Sequence, residues 1–454
     1  MNWNIVLLWA GWTWMSAIAW ILFELGYGEK LICIDWNQSE LTDKLQKKWI
    51  KVLIWNNVYK PELFDHVIYS EACVNSPEVQ LARSYERTPK QMRFIGNYFQ
   101  FLWEISKYFC TIGIAWTNWK SSSTSILIDT ARTHIDNFWL WIVGALVPSL
   151  NWNNYYLNQD KKDELKNIFD YIFTWKLLDY TLIKKNYFII ESCEYKRHFL
   201  MLDTDRWAIT NIELDHTDYY KDFDDYKSAF IERTNKVKHK VISTENLWIS
   251  WVNQIKTKKF NFKKIFWEHN NKNWTLVFEL IKNIKPNIDD WELINTIENF
   301  WWLRRRMEYL KRTEKGAIIF SDYWHMASSI SLCYEALRQH FPNKKLTAIF
   351  QPHQINRVLR ERDKFWETLS KFDTTYIYNI YAARENLDEQ LNNFKHLKIK
   401  NANSIEELWN IFAKNCNAQY ITNIDDIKDI INNTEDDGII TIFTAWDLDY
   451  KIRD

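Results

Sequence analysis

Short runs of apolar residues recur along the chain, and each is followed by a longer segment with apolar residues at helical spacing. In the first part of the chain these runs are NIVLL, LICID, KVLI and HVIYS. Such runs predict buried strands, and their alternation with helices is typical of parallel α/β sheets. The pattern therefore predicts an α/β domain over residues 1–105.

The same alternation continues in two further segments. Residues 106–295 contain the strand candidates YFIIES and AITNIEL, and residues 296–454 contain GAIIFSDY, LTAIFQPH, TTYIYNIY and GIITIFTA. A helix is predicted over 327–340, and the Asn-, Tyr- and Lys-rich stretch 151–187 is predicted to be a surface insertion. At about 150 residues per domain, the chain fits three consecutive α/β domains.

Charge and cysteine spacing exclude several classes of protein. Lys and Arg together number 58, as do Asp and Glu, so the net charge is zero. This balance gives no indication of a nucleic-acid partner or of an acidic tail. The six Cys are widely spaced without a C-x-x-C pair, which favours reduced thiols over disulfides or a zinc site. We expect a cytoplasmic protein, because neither a signal peptide nor a membrane span is evident.

Tryptophan and glycine have unusual frequencies. The chain has 27 Trp and only 8 Gly, together 35 residues, whereas ordinary usage of about 7% predicts about 32 Gly. Our hypothesis is that most Trp letters stand for glycine, because the cell reads a UGA codon as glycine where a translation table writes Trp. The Asn-, Lys- and Ile-rich composition suits an AT-rich genome. Trp3 and Trp301 are left open as true Trp.

Two segments acquire a familiar pattern when glycine replaces Trp. Residues 6–22, VLLWAGWTWMSAIAWIL, become a strand, a glycine-rich turn and a helix, as in folds that bind a diphosphate at such a turn. Residues 111–127, TIGIAWTNWKSSSTSIL, become a strand, a phosphate-binding turn and a helix N-terminus. The alternative is a Trp-rich, non-catalytic protein that stacks sugars or nucleotides on its indoles.

The second segment predicts the chemistry of a phosphate loop. Lys120 would neutralise the β- and γ-phosphates, and the Ser121 hydroxyl would bind Mg²⁺. The spacing differs from G-x-x-x-x-G-K-[ST], because Gly113 lies six residues before Trp119. The predicted ATP contacts here are Trp116, Thr117, Asn118, Trp119, Lys120, Ser121 and Ser122. A generic phosphate-loop ATPase would not account for the turn at 6–22.

Further polar residues follow predicted strands. Glu191 ends an apolar strand and is either a Mg²⁺ ligand or a surface acid. His216, in ITNIELDHTDYY, is either a second metal ligand or a loop histidine. Arg304–Arg306 either grip a phosphate or form a solvated face. The strand ends of the third segment carry four more candidates: Asp322, His325, His353 and Arg357.

With glycine at the Trp positions, these pieces resemble the Mur ligase family, in order and over nearly the whole chain. LLWAGWTWMSAIA resembles the family's UDP-binding turn, WTNWKSSST its G-T-x-G-K-[ST] loop, FWEHNNKN its G-x-H-N…N element and FWWLRRR its F-x-G-x-x-R-R. FQPHQINR and IYAARE resemble F-Q-P-H-x-x-x-R and I-Y-x-A-x-E of the alanine-adding branch, and FTAWDLDYKI the closing strand and turn.

The resemblance implies a fold and an activity. The domains would be a Rossmann-like UDP-sugar-binding domain (1–105), a phosphate-loop ATPase-like central domain (106–295) and a Rossmann-like domain that positions an amino acid (296–454). With ATP and Mg²⁺, the enzyme would join L-alanine to UDP-N-acetylmuramate through an acyl phosphate, in peptidoglycan precursor synthesis. Neither nucleic acid nor membrane would be a partner.

The resemblance also implies roles for individual residues. The catalytic residues would be Lys120, Glu191, His216, Arg305, Arg306, Asp322 and His353. The Mg²⁺ ligands would be Ser121, Glu191 and His216. The adenine end of ATP would meet His269, Asn270 and Asn273. The UDP-sugar would be bound by Trp9, Gly11, Trp12, Trp14, Met15, Ser16, Ser70 and Arg357.

The third segment departs from the family pattern. The family's D-D-Y-x-H-H-P-[ST]-E appears as S-D-Y-W-H-M-A-S-S at 321–329. Gln354 replaces a frequent arginine, and Arg384 replaces a glycine in I-Y-x-A-x-E. Because this domain positions the amine in the family, a related ligase that recycles a preformed peptide remains an alternative.

Overall fold

The computed structural model of the chain contains three β-sheets that follow one another along the sequence. The structure describes residues 3–54, 65–85, 94–115, 120–216, 219–261, 270–300, 305–323, 326–380, 389, 405–444 and 448–453. Each predicted segment supplies the strands of one sheet, which confirms the predicted class of three consecutive α/β units. The boundaries at 105 and 295 stay predictions.

Eighteen strands are assigned in the described residues. The first sheet contains β1 Ile5–Leu8, β2 Leu31–Asp35, β3 Lys51–Ile54, β4 His66–Tyr69 and β5 Ile95–Asn97. The second contains β6 Cys110–Ala115, β7 Phe138–Val147, β8 Asn153–Leu157, β9 Tyr187–Ser192, β10 Arg206–Ile209, β11 Lys240–Ser243 and β12 Val252–Gln254. The third contains β13 Glu308–Arg312, β14 Ile318–Asp322, β15 Lys345–Gln351, β16 Thr374–Tyr378, β17 Gln419–Ile421 and β18 Gly438–Thr444.

Helices connect most of these strands. The α-helices are α1 Thr13–Leu22, α2 Glu40–Lys47, α3 Pro77–Tyr85, α4 Tyr98–Ser106, α5 Lys120–His134, α6 Lys162–Thr174, α7 Phe223–Lys236, α8 Asn270–Ile284, α9 Asp290–Glu298, α10 Ala327–His340, α11 Ile355–Arg360, α12 Arg362–Leu369, α13 Ile405–Asn415, α14 Ile424–Asn433 and α15 Leu448–Arg453. A π-helical turn spans Phe23–Tyr27, and short 3-10 helices span Gly28–Lys30, Glu71–Cys73, Pro148–Leu150, Gln159–Lys161, Tyr180–Leu182 and Tyr195–Met201. Side-chain caps fix several helix starts, such as Ser39 before α2 and Asn97 before α4.

The first sheet is fully parallel, in the order β3-β2-β1-β4-β5. The strand order reverses between β1 and β4, and the crevice at such a reversal is where open α/β sheets bind ligands. The turn after β1 and Ser70, directly after β4, both lie at this edge.

The second sheet has the order β12-β11-β10-β6-β9-β7-β8, and only β8 runs antiparallel to its neighbour. Strands β6 and β9 are adjacent and in register, with Ile114 opposite Glu191. Helix α5 begins just beyond the end of β6. The parallel register therefore brings the end of β9 to the start of α5, although the two are about 70 positions apart.

The third sheet has the order β13-β14-β18-β15-β16-β17, with only β13 antiparallel. The first two sheets share one compact unit, the first unit, made of residues 1–263 with 269–301. The third sheet belongs to the second unit, which includes residues 302–454. The two units are described separately below.

The predicted surface insertion at 151–187 is wrong. This stretch forms β8 at the edge of the second sheet and helix α6, whose residues Leu165, Ile168 and Phe169 are fully buried. The α6 side chains pack against Phe101 of α4 within one hydrophobic core that the first two sheets share. The apolar residues recur at i, i+3, i+4, i+7 and i+8 from 165, but the Asn and Lys of the outer face dominate the composition.

The other predicted elements agree with the structure, with one adjustment. The four strands predicted in the first segment are present, and helix α10 spans the predicted range 327–340. Strand β10 ends at Ile209, so most of AITNIEL forms irregular structure up to His216. Within the described ranges, each helix is too short or too polar to cross a lipid bilayer.

Candidate functional site

The turn after β1 is held against β2. Trp9 has a left-handed backbone with φ 65°, and its N–H donates to Ile34 O at 2.7 Å. The N–H of Gly11 donates to Asp35 Oδ2 at 2.8 Å, and a methyl group on Gly11 would come within 2.9 Å of the same oxygen. A larger residue at position 11 would therefore force the Asp35 carboxylate to move. Helix α1 begins at Thr13, and its residues Met15 and Ser16 are buried.

The start of α5 carries a buried pair of oxygen groups. The Ser121 hydroxyl donates to Glu191 Oε2 at 3.1 Å, and the N–H of Gly144 in β7 donates to the same oxygen at 3.1 Å. Both side chains are buried. The structure thus brings together two of the three predicted metal ligands at a helix N-terminus, which favours negative charge such as phosphate.

The first turn approaches this pair through Trp14. A methyl group on Gly144 would lie 2.7 Å from the Trp14 indole and 3.2 Å from Glu191 Oε2, so both groups lie against the Gly144 α-carbon. Trp14 also packs on Tyr98, with ring centroids 5.5 Å apart. Burial first, and then the Glu191 carboxylate, raise the pKa of Tyr98 well above 10.0. The predicted nucleotide-sugar and phosphate sites are therefore neighbours in one compact unit.

His216 lies beside two other carboxylates. Its Nε2 is 3.5 Å from Glu194 Oε1 and 3.9 Å from Asp215 Oδ2, and its ring centroid is 4.7 Å from that of Tyr195. Glu194 is fully buried, and Tyr220 donates to its backbone carbonyl. The role of His216 as a metal ligand stays a prediction.

The oxygen donors near α5 fit Mg²⁺. This ion takes oxygen ligands and usually keeps only one or two protein carboxylates, completing its shell with phosphates and water. Glu191 and Ser121 supply such a partial set. In the part of the chain that the structure describes, His, Cys, Asp and Glu form no group of three that could enclose a metal ion by themselves.

Several predicted ATP contacts lie outside the described residues, namely Trp116, Thr117, Asn118, Trp119 and His269. Lys120 and Asn270 are described only as the first residues of α5 and α8. Ser122 is buried on α5, and Asn273 is buried on α8. Trp12 precedes α1, half-exposed, with its ring 6.0 Å from that of Trp9.

In the second unit, Asp322 and Arg305 have local partners. Asp322, at the end of β14, is fully buried and accepts the N–H of Met307 at 2.7 Å. Arg305 donates to Thr444 O at 2.6 Å and lies 3.8 Å from Asp449. Arg305 and Arg306 both lie over the ring of Tyr323, at 4.8 and 5.4 Å from its centroid. Their predicted catalytic roles stay predictions.

The F-Q-P-H segment forms a second polar group in this unit. Arg357 Nη1 and His353 Nδ1 are 3.2 Å apart, and Arg357 is buried on α11. Gln354, which stands where the family often has arginine, has a positive φ of 66° directly before this helix. The structure thus places these two predicted site residues side by side, while their roles stay predictions. His325 lies outside the described residues.

Sequence reasoning missed three residues that shape these sites. Asp35 holds the first turn, and its position at the end of β2 was the available signal. Gly144 donates its N–H to Glu191, and its lack of a side chain lets Glu191 and Trp14 lie close to the backbone of β7. Only the tertiary structure reveals this contact. Glu71 accepts hydrogen bonds from Asn97 at 2.9 Å and from Lys196 at 3.0 Å, and so links the first two sheets.

The curated proteins that the chain resembles in sequence include ligases of one kind from different bacteria. The chain is 26% identical over 465 aligned positions to the UDP-N-acetylmuramate–L-alanine ligase of Clostridium botulinum, covering 92% of this chain and 90% of that protein. It is also 26% identical to the ligase of the same name from Lactiplantibacillus plantarum, covering 82% and 83%. No family model matches the chain.

Solved structures share the fold. The UDP-N-acetylmuramate–alanine ligase MurC of Thermotoga maritima matches with a TM-score of 0.71 at 19% identity, covering 99% of this chain and 97% of that one. A murein peptide ligase of Psychrobacter arcticus matches with a TM-score of 0.61 at 16% identity, covering 98% and 96%. With the order of motifs and the three sheets, these findings lead to one conclusion: the chain has the fold of these ligases and is similar in sequence, over most of its length, to UDP-N-acetylmuramate–L-alanine ligases.

Proposed function

We propose that this protein joins L-alanine to the lactyl carboxylate of UDP-N-acetylmuramate, with ATP, in the cytoplasmic synthesis of peptidoglycan precursors. The observation that carries the proposal is the Ser121–Glu191 pair at the start of α5, beside the turn after β1. A phosphate site and a nucleotide-sugar turn in one compact unit suit a reaction between ATP and a sugar nucleotide. The named relatives support the same choice.

The chemistry follows from the weakness of a carboxylate as an electrophile, whose leaving group would be oxide. The lactyl carboxylate oxygen attacks the γ-phosphorus of ATP, and the bond to ADP breaks. The resulting acyl phosphate has phosphate as its leaving group. The neutral amine of L-alanine attacks the carbonyl carbon, loses a proton and expels phosphate, so an amide, ADP and phosphate are formed. Positioning and charge neutralisation carry most of the phosphoryl transfer.

The residues at the start of α5 would perform that neutralisation. Lys120 and the helix N-terminus would face the phosphates, because α5 begins five positions after β6 ends. Ser121 and Glu191 would hold Mg²⁺, with His216 as a proposed further ligand. The metal ion would supply positive charge for the transferred phosphoryl oxygens. Gly144 N–H would fix the orientation of the Glu191 carboxylate.

The second unit would contribute residues that bind the amine substrate and the sugar nucleotide. We assign Arg305, Arg306 and Asp322 to the amine side, and His353 with Arg357 to the sugar nucleotide. The buried Arg357, 3.2 Å from His353, offers a fixed guanidinium of the type that binds phosphate. We also propose the domain limits 1–105, 106–295 and 296–454.

A second candidate is a ligase that adds a preformed peptide to the same sugar nucleotide. The departure from the family pattern at 321–329 supports this second candidate. Helix α10 begins there with Ala-Ser-Ser at 327–329, where the family has P-[ST]-E. The fold likeness extends to a murein peptide ligase. Altered amine recognition is the expected effect of such changes.

The test compares acceptors with the protein purified from its own cells. ADP release is measured with UDP-N-acetylmuramate and ATP plus L-alanine, glycine, L-serine or a cell-wall tripeptide. We expect the highest kcat/KM with L-alanine. A preference for the tripeptide selects the recycling ligase. Binding of the sugar nucleotide without ADP release by any acceptor overturns the ligase proposal and favours a non-catalytic binding protein.

A further inference from the structure

Tryptophan is concentrated at left-handed backbone positions. In the described part of the chain, fifteen residues other than glycine have a positive φ, and six of them are Trp: Trp9, Trp49, Trp152, Trp175, Trp248 and Trp251. Trp accounts for only 27 of the 454 residues. Left-handed conformations are disfavoured for residues with a Cβ and are readily adopted by glycine, with Asn and Asp as occasional substitutes. A bulky aromatic residue is an unexpected occupant.

Trp49 occupies the position that glycine takes in a standard helix ending. After helix α2, the N–H of Trp49 donates to Gln46 O at 2.9 Å, and the N–H of Ile50 donates to Leu45 O at 3.2 Å. This pair of bonds defines a Schellman motif, whose residue after the C-cap is left-handed and usually glycine. Trp49 has φ 64° there, and its side chain is 93% exposed. Packing therefore gives no reason for an indole.

Helix α6 also ends on a left-handed Trp, with a single hydrogen bond. Its C-cap is Trp175, with φ 54° and ψ 29°, and the N–H of Trp175 donates to Tyr171 O at 2.9 Å. The backbone again adopts the single left-handed residue that ends many helices on glycine.

The hairpin between β7 and β8 has two consecutive left-handed residues. Asn151 has φ 55° and Trp152 has φ 63°, and the N–H of Trp152 donates to Val147 O. Asn-Gly is the most favoured pair for two successive positive φ angles in a hairpin. With glycine at 152, this connection would have that pair.

The remaining positions also lie in connections between elements. Trp248 and Trp251 lie in the connection from β11 to β12, with φ 52° and 69°, and are 81% and 82% exposed. Trp9 begins the turn after β1. All six tryptophans thus lie in connections between elements or at helix ends, and three of them are almost fully in solvent.

We infer that the protein made by the cell has glycine at positions 9, 49, 152, 175, 248 and 251, encoded by UGA codons that the cell reads as glycine. The backbone conformation carries this inference, and it is independent of the Trp and Gly totals. It is also independent of the proposed function. Position 14 is a further consequence that does rest on the proposed function, because glycine there would free the space beside Glu191 that the Trp14 indole fills.

The direct test reads the covalent structure of the native protein. The protein is purified from its own cells and digested, and the peptides that contain the six positions are sequenced by tandem mass spectrometry. We expect a glycine residue mass at each position and UGA at each codon. A tryptophan residue mass at these positions, or UGG codons, would overturn the inference.

A second test measures stability and needs no native material. The printed sequence and a variant with Trp→Gly at all six positions are compared by urea unfolding. The control is the double variant Trp103→Gly and Trp291→Gly, which also removes exposed indoles but from right-handed helical positions in α4 and α9. We expect the six-position variant to have the higher midpoint and the control the lower one, because glycine weakens a helix interior. A lower midpoint for the six-position variant contradicts the inference.

The two proposals can fail separately. A glycine-containing native protein without ligase activity overturns the proposed function and leaves this inference intact. An active ligase with indoles at the six positions overturns this inference and leaves the proposed function intact.

Discussion

Glu191 and Asp322 are two acids at the ends of buried parallel strands, one in each compact unit, with different surroundings. Both are buried, and both accept a backbone N–H, Glu191 from Gly144 at 3.1 Å and Asp322 from Met307 at 2.7 Å. Glu191 also accepts the hydroxyl of Ser121 at the first turn of a helix. The thiol of Cys333 lies 3.9 Å from Oδ2 of Asp322.

The difference shows what a strand-end acid needs in order to bind a ligand. Glu191 adjoins a helix N-terminus and a hydroxyl, which together favour an anion with its metal ion. Asp322 stabilises the chain segment before β13 through Met307. The same sequence signal, an apolar run that ends in an acid, is thus found for both residues, although their surroundings in the fold differ. The variants below test this contrast, from the largest expected effect to the smallest.

Replacing the Glu191 carboxylate should abolish most of the activity. In the active form of the protein, Glu191→Gln should lower kcat by about 10²–10³-fold, the usual loss when one preorganised electrostatic group is removed. The steady-state rate of ADP release gives the measurement. Glu232→Gln, on the exposed side of α7, is the matched control and should keep full activity. An unchanged kcat for Glu191→Gln would remove Glu191 from the proposed site.

Removing Asp322 should first lower stability. Asp322→Ala leaves the buried N–H of Met307 without its acceptor, which we expect to lower the free energy of unfolding by about 2–3 kcal/mol. Urea unfolding measures this value, with Asp363→Ala on the surface of α12 as the control. If stability is unaffected, the structural half of the comparison is wrong. A loss of kcat in the folded fraction would add the catalytic role that the sequence predicts.

Removing the hydroxyl next to Glu191 should have a smaller effect. Ser121→Ala keeps the carboxylate and its bond from Gly144, so we expect kcat/KM for ATP to fall by about tenfold, equivalent to ~1.4 kcal/mol. Titration of Mg²⁺ in the same assay should show a weaker apparent affinity. Thr133→Ala, near the end of the same helix, is the control. Equal Mg²⁺ dependence in Ser121→Ala and the parent would contradict the proposed ligand pair.

The smallest expected effect is on the stability of the protein at acidic pH. It involves Asp449, which accepts a hydrogen bond from Ser321, the residue before Asp322. Burial would raise the pKa of Asp449, but the hydrogen bond from Arg453 and the charge of Arg305 outweigh it and hold this pKa below 3.8. The charged form therefore stabilises the folded state fully above that value, and this contribution is lost as the pH falls through the folded-state pKa. Stability should decline more steeply with acid in the parent than in Asp449→Asn. Parallel pH profiles would contradict this.

The sequence predicted the elements with clear local signals. Helix α10 and four of the five strands of the first sheet were predicted correctly, because apolar residues at helical spacing and short apolar runs mark them. The meeting of Ser121 and Glu191 followed from parallel strand ends. Helix α6 was missed, since its polar outer face dominates the composition of its segment. The contribution of Gly144 was missed as well, because it depends on strands that only the tertiary structure brings together.

The shared core of the first two sheets has a consequence for dissecting the gene. Phe101 of α4 packs against Phe169 and Phe173 of α6, which lie on the far side of residue 105. A fragment cut at that position would leave an aromatic face of each half in water, so neither half should remain monomeric on its own. Residues 1–105 therefore cannot be separated from residues 106–295 without exposing this core. On heating, both sheets should unfold together in a single cooperative transition.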